Sequence, residues 1–334
     1  MAPMRVLVAP DKLRGTATAA EAAAAIGAGV RAAGATPDSC PLADGGEGFL
    51  DSLGGPNRTA DVSDALGRPL TVGWRLADEL AVIETAMLST QVLLDGPGPA
   101  EAVAATSAGA GELIGEAIRA GAQRILVGLG GSAFSDGGTG ALTALADLVP
   151  FRPSLEVLLG CDVETGYLDA ARVFGPQKGA DQQAVEQLSR RLARQAEQLA
   201  DRFDRDVTGV PGTGAAGGLA GGLYAAGARL QSGFSIVAER VGLADRLASA
   251  ELVITAEGRL DDSSWAGKVV GGLIKQSSRP VWVIAGAVQP ELSIPETVQV
   301  LGLTATFGSE RAHQDTQFCL TEAARRIVER IAPS

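Results

Sequence analysis

Apolar and polar positions change rhythm several times along the chain. Met4–Ala9 is a short Val-rich apolar run, the pattern of a buried strand, and it ends at Pro10-Asp11. A polar loop, Asp11–Thr16, follows. Then comes an Ala-rich segment with Thr18 and Glu21 at capping-box spacing and Gly34 as a stop, which predicts a helix over Ala19–Ala33. Between Ala60 and Glu84 the pattern turns to short β-type runs with turns at Leu66-Gly67 and Ala77-Asp78, as in antiparallel strands. From Thr106 the α/β rhythm resumes. A helix is predicted near Gly109–Ala120, a strand over Arg124–Leu129, and a helix near Thr139–Asp147 after a glycine-rich loop. Asp181–Phe203 reads as a long charged helix with Leu188, Leu192, Ala196 and Leu199 on one side. The runs "ELVITA", "VWVIAGA" and "VQVLGLTA" predict three late strands, and "LTEAARRIVERIA" a closing amphipathic helix.

This order predicts an α/β protein of two domains. A parallel-sheet Rossmann-like domain would be formed by residues 1–58 with 235–334, and a second α/β domain, 59–234, would be inserted into it. At 334 residues the chain is long enough for two cores. Only 4% of residues are aromatic, so those cores must be built from Ala, Val, Leu and Ile. The 44 glycines are spread through apolar segments rather than gathered in a linker.

The formal charge of −11 disfavours nucleic acid or an anionic membrane as a partner for the bulk surface, while leaving room for a local basic pocket. No apolar run approaches the length of a membrane span, and the start of the chain reads as a first strand rather than a signal peptide. Cys40, Cys161 and Cys319 are far apart and lack CxxC spacing, which suits a reducing, cytoplasmic setting and no structural zinc. With one histidine, His313, in a polar stretch, a His-based metal site or a Ser-His-Asp triad has almost no material. The sequence leaves a homodimer open.

The candidate chemistry lies where acids recur beside glycine: "PLADGGEGF" from Pro41, "GGSAFSDGG" from Gly130 and "TAEGRLDD" from Thr255. Taken singly these are ordinary turn pairs. Together they suit phosphoryl transfer, which needs carboxylates for Mg²⁺, a carboxylate to accept the hydroxyl proton, and main-chain N–H groups or cations for phosphate oxygens. The acids are Asp44, Glu47, Asp136, Glu257 and Asp261; the cations are Lys12, Arg14, Lys178, Arg259 and Lys268. No G-x-x-x-x-G-K-[ST] match occurs, so a Walker-type loop is excluded, and no G-x-G-x-x-G opens a helix after the first strand. "GTGAAGGLAGG", Gly212–Gly222, is the nearest approach, but such a pattern equally serves tight helix packing. Lys178 in "VFGPQKGAD" reads from the residues alone as a surface lysine in a turn after Pro176. Glu84, at the end of "LAVIE", could orient another group or simply be solvated.

In combination these segments closely resemble the type I glycerate kinase family. The resemblance runs from Val6 to about Ala287 and is carried, in order, by "APDKLRGTATAAE", "PLADGGEG", "AVIETA", "TSAGAGELI", "GLGGSAFSDGG", "CDV", "VFGPQKGA", "GTGAAGGLAGGL" and "ITAEGRLDDSSWAGK". It implies two α/β domains, one inserted in the other, and transfer of a phosphoryl group from ATP, with Mg²⁺, to a hydroxyl of D-glycerate, giving 2-phosphoglycerate. Carried over by position, Asp44, Asp136, Asp261 and Lys268 are the candidate catalytic residues, with Asp136 the leading candidate for the base. Arg14, Lys12, Arg259 and Lys178 would bind substrate. Gly130, Gly131, Ser132, Gly214, Gly217 and Gly218 would line the nucleotide phosphates, and Asp44 and Glu257 would hold Mg²⁺. The chain departs from the family pattern at Lys12-Leu13-Arg14, at Phe134-Ser135 and at Asp262-Ser263-Ser264, and its loops after "CDV" and between Leu145 and Cys161 are short. Those changes leave open a kinase for another small hydroxy acid, or a non-catalytic nucleotide sensor derived from a kinase.

Overall fold

The computed structural model describes residues 3–265 and 268–331. Among them, eleven strands form two sheets. In chain order they are β1 (Arg5–Val8), β2 (Thr36–Ser39), β3 (Arg58–Ser63), β4 (Pro69–Ala77), β5 (Leu80–Glu84), β6 (Arg124–Gly128), β7 (Glu156–Gly160), β8 (Arg229–Gln231), β9 (Leu252–Leu260), β10 (Val281–Val288) and β11 (Val298–Gly302). The chain divides into two compact units, one of residues 1–44, 51–53 and 234–334, the other of residues 45–50 and 54–233.

The first unit is built on a five-stranded sheet in the order β11-β10-β9-β1-β2, parallel throughout. The apolar run of β1 is buried on both faces, as parallel sheets require. Val6 and Val8 join Ile254 of β9 and Ile284 of β10 in one core with the helices Ala19–Ala32 and Thr316–Ile331. Leu7, Val253 and Val283, alternating with them, are fully buried on the other side. The predicted capping box forms at the start of Ala19–Ala32: Glu21 N–H donates to Thr18 Oγ1 (3.2 Å) and Thr18 N–H to Glu21 Oε2 (2.8 Å). That helix meets Thr316–Ile331 at Gly29, where a Cβ would lie 2.0 Å from the Thr321 carbonyl oxygen. The last residue of the predicted closing helix, Ala332, lies outside the described residues.

The second unit has six strands in the order β3-β4-β5-β6-β7-β8. β3, β4 and β5 pair antiparallel, as the pattern between Ala60 and Glu84 predicts, and β5 to β8 are parallel. The long helix Gln182–Phe203 is capped by Asp181, which accepts from Ala184 N–H (2.8 Å), and it buries Leu188, Leu192, Ala196 and Leu199.

Three elements differ from the pattern. β2 is the polar stretch "TPDS", an edge strand held by its parallel pairing with β1. "VQVLGLTA" splits into β11 and a short helix, Leu303–Phe307. The helix from Thr139 ends at Ala144, with a single 3₁₀ turn beyond it.

Candidate active site

At the carboxyl end of β1 the chain is pinned to its neighbour β9. Ala9 and Asp11 donate their N–H groups to the carbonyls of Ile254 and Ala256 (2.9 and 2.8 Å), and the Thr255 hydroxyl donates to Ala9 O (2.8 Å). The loop Asp11–Thr16 closes on itself through Leu13 and Ala17 (2.8 and 3.0 Å). Leu42 N–H donates to Pro10 O (2.9 Å) and so draws the segment carrying Asp44 alongside. Lys12 Nζ then stands between two carboxylates, 3.8 Å from Asp11 Oδ1 and 3.9 Å from Asp44 Oδ1.

The end of β9 supplies the rest of this cluster. Burial pushes the Glu257 carboxyl up to about 7; Asp11 and Asp261 add to the shift, while a Ser264 hydrogen bond and Lys268 oppose it. Burial likewise pushes Asp11 up to about 6, with Lys12 and Lys268 opposing and Asp44 adding. One Glu257 oxygen, Oε1, is buried without a hydrogen-bond partner. Asp261 differs: its Oδ1 accepts from the Ser263 hydroxyl and N–H (2.6 and 2.9 Å), which hold its carboxyl below the usual range, and Arg259 Nε lies 3.8 Å from Oδ2. Lys268 sits at the start of the helix Val269–Gln276, and Arg14 and Arg259 are exposed. The first unit thus gathers Asp11, Lys12, Asp44, Glu257, Asp261 and Lys268 at the carboxyl edge of a parallel sheet, where open α/β sheets bind ligands.

Among the described residues no three or more His, Cys, Asp or Glu converge as a ready metal cage. Mg²⁺ does not need one: it is held by one or two carboxylates together with waters and phosphate oxygens. Glu257, with its unpartnered oxygen, and Asp44, across Lys12 from Asp11, fit that donor set.

In the second unit the glycine-rich segments meet at the ends of β5, β6 and β7. Glu84, buried at the end of β5, accepts from the N–H groups of Gly48 (3.3 Å) and Leu50 (3.0 Å) and so fastens the loop that follows Asp44. Gly45, at φ +88°, lies so close to β7 that a Cβ would fall 2.5 Å from Gly160 O. Gly130 N–H donates to Gly45 O (2.9 Å), and a Cβ on Gly130 would meet Gly46 Cα at 2.4 Å. Gly131 is exposed and Ser132 is buried. Asp136, also buried, accepts from five donors. Ser107 N–H (2.8 Å), Ser107 Oγ (3.0 Å), Gly140 N–H (3.0 Å) and Thr106 Oγ1 (3.3 Å) reach Oδ2, and Gly138 N–H (3.1 Å) reaches Oδ1. Lys178 Nζ is buried and donates to Phe134 O (2.7 Å) and Ser132 Oγ (3.3 Å); burial pulls its pKa down to about 7 against the pull of Asp136.

The model of the glycerate kinase family matches residues 6–150 and 145–333. The chain belongs to the glycerate kinase family. It is 35% identical over 351 aligned residues to the glycerate 2-kinase of Escherichia coli, covering 91% of this chain and 90% of that protein. An uncharacterised protein of Mycobacterium bovis is 41% identical over 342 aligned residues, covering 97% and 89%. A crystal structure from Salmonella typhimurium LT2, assigned as a glycerate kinase 2, superposes with a TM-score of 0.77 at 30% identity and covers 98% of each chain. As a member of the glycerate kinase family the chain is a kinase.

For this glycerate kinase family member the geometry shows what surrounds several of the expected residues. Lys178 is neither a surface lysine nor an open substrate contact: it is a buried strut under the loop from Gly130 to Phe134. Asp136 has its oxygens engaged by main-chain and hydroxyl donors. The glycines of "GTGAAGGLAGG" are closely packed. A Cβ on Gly217 would lie 2.1 Å from Phe134 O, and on Gly214 2.3 Å from Gly166 O; Gly218 abuts Gly137 and Tyr167. Gly130 already spends its N–H on Gly45. Of the expected phosphate-lining positions, Gly131 keeps an exposed backbone, while the Ser132 hydroxyl accepts from Lys178. Asp11 is the residue that sequence reasoning passed over; its position one residue beyond the proline closing the first strand was the available signal.

Proposed function

We propose that this kinase transfers the γ-phosphoryl group of ATP to a hydroxyl of D-glycerate, giving 2-phosphoglycerate. The observation that carries the reading is the charged cluster at the carboxyl edge of the first unit's sheet, where Lys12 lies within 4 Å of both Asp11 and Asp44. Lys12 and Lys268 have the placement to offset charge on transferring phosphate oxygens, and the exposed Arg14 and Arg259 to grip the carboxylate of the acceptor in a planar, two-pronged fashion. Asp44 and Glu257 would hold Mg²⁺, which would supply positive charge to offset that of the transferring phosphoryl group. Catalysis of this kind is mostly positioning and charge neutralisation.

Two departures from the family pattern, Phe134 and Ser135, are buried inside the second unit, so they bear on packing rather than on which acceptor is taken. Ser263 remains within the cluster, but its hydroxyl is turned to Asp261. The departure at Lys12-Leu13-Arg14, in the cluster itself, is the one that bears on the acceptor, and glycerate is the acceptor proposed. The purified chain, given ATP, Mg²⁺ and a panel of D-glycerate, L-glycerate, glycolate and lactate, is expected to release ADP fastest with D-glycerate. A clear preference for another acceptor, or release that ignores the acceptor, would refute the reading.

A further inference from the structure

We infer that Asp11 is the proton acceptor for the attacking hydroxyl, because it combines an open carboxylate oxygen, a rigid backbone anchor and an adjacent cation in the first unit's cluster. The inference rests on the kinase reading above. A base must present an unoccupied lone pair to the proton it takes. Asp11 Oδ1 accepts from Lys12 N–H (2.7 Å), and among the described residues no hydrogen bond reaches Oδ2. The side chain is only 15% exposed, so little bulk water competes for that oxygen. Its main chain is held to Ala256 on β9, so the carboxylate is aimed by the sheet rather than by a loose loop.

The other acids of the site are differently placed. Asp261 is engaged by the Ser263 hydroxyl and N–H, hydrogen bonds that stabilise its ionised form and make it a weaker base. The unpartnered oxygen of Glu257 is buried rather than open to a substrate hydroxyl. Asp136 is saturated by donors in the second unit. Lys12, 3.8 Å from Asp11 Oδ1 and 3.9 Å from Asp44 Oδ1, places a positive charge beside both carboxylates. In the step itself the acceptor oxygen forms a bond to the γ-phosphorus with its own electron pair. The bond from that phosphorus to the bridging oxygen of ADP breaks, its electrons leave with ADP, and the hydroxyl proton passes to Asp11 Oδ2.

The test is Asp11→Asn, which keeps shape and removes the basic oxygen. Initial rates are measured against D-glycerate, ATP and Mg²⁺, and binding of glycerate and of a non-hydrolysable Mg²⁺–ATP analogue is followed by calorimetry. The expected result is a fall in kcat of about 100-fold or more, within the range for a lost general base. KM for glycerate, both binding constants and the half-saturating Mg²⁺ concentration should stay within about threefold of wild type. A smaller fall in kcat overturns the inference. So does a rate restored by excess Mg²⁺, which would make Asp11 a metal ligand, or a rise in KM at constant kcat, which would make it a binding group. Should Asp11→Asn fail to fold, Asp11→Glu serves: it retains a carboxylate, and a rate as low as that of a folded Asp11→Ser variant counts against the assignment. A wild-type protein inactive on every acceptor would sink the kinase reading itself, a separate outcome.

Discussion

Replacing Asp136 with Asn separates an anchor from a base. Four donors converge on Asp136 Oδ2 and Gly138 N–H reaches Oδ1. An asparagine amide can keep its oxygen toward the Ser107, Thr106 and Gly140 donors only by turning its NH₂ toward Gly138 N–H, so that two donors face each other. One charge-assisted hydrogen bond, worth about 1.5–3 kcal/mol, is lost, and the remaining ones weaken as the acceptor loses its charge. A total of about 3 kcal/mol follows, which in a unit of this size lowers the melting temperature by roughly 6–12 °C. The assay pairs thermal unfolding followed by circular dichroism with kcat at a temperature where the variant is fully folded. The expected outcome is a marked loss of stability with kcat within about tenfold of wild type. A variant that melts within about 2 °C of wild type yet loses about 1,000-fold or more in kcat would restore Asp136 as the base and refute the reasoning.

Further outcomes follow from the same geometry. Lys178 is held near 7 rather than 10.5, so the folded state carries a costly buried charge below about pH 7 and sheds it as pH rises, while the unfolded chain stays protonated; folding stability attributable to this lysine therefore increases with pH. Urea denaturation at pH 7 and pH 9 should show the difference between wild type and Lys178→Met moving in favour of wild type by about 2 kcal/mol, and no movement would contradict the buried placement. The raised thiols of Cys40 and Cys161 are common to both proteins and cancel in that difference. Gly29→Ala should destabilise the first unit by about 1–3 kcal/mol, since the new Cβ would fall 2.0 Å from the Thr321 carbonyl oxygen; an unchanged urea midpoint would show that the two helices separate freely.

What the sequence reveals here is mostly local. The Thr18–Glu21 box and the one-sided leucines of Gln182–Phe203 depend on neighbours three or four residues away, and each is present as the spacing predicts. β2 is hidden because "TPDS" has no strand-like pattern of its own and is held only by β1. The glycine loops are visible as loops, but their work depends on distant partners: Gly130 must be bare because Gly46 lies against it, and Gly217 because Phe134 does. Lys178 reads as a surface residue because the two acceptors that bury it, Ser132 and Phe134, lie more than forty positions earlier. Lys12, Asp44, Glu257, Asp261 and Lys268 are legible as candidates in the sequence, whereas Asp11 is not singled out there. Which acid has an open oxygen is not legible, because that depends on where Ser263, Ser264 and Lys12 point in three dimensions.

The most direct test of the whole account is ³¹P NMR of the purified chain incubated with ATP, Mg²⁺ and D-glycerate. The account predicts that the γ-phosphate resonance of ATP decays while that of a phosphomonoester on glycerate grows in equal amount, with the signal assigned to the 2-position. An unchanged ATP spectrum, or growth of inorganic phosphate alone, would contradict it.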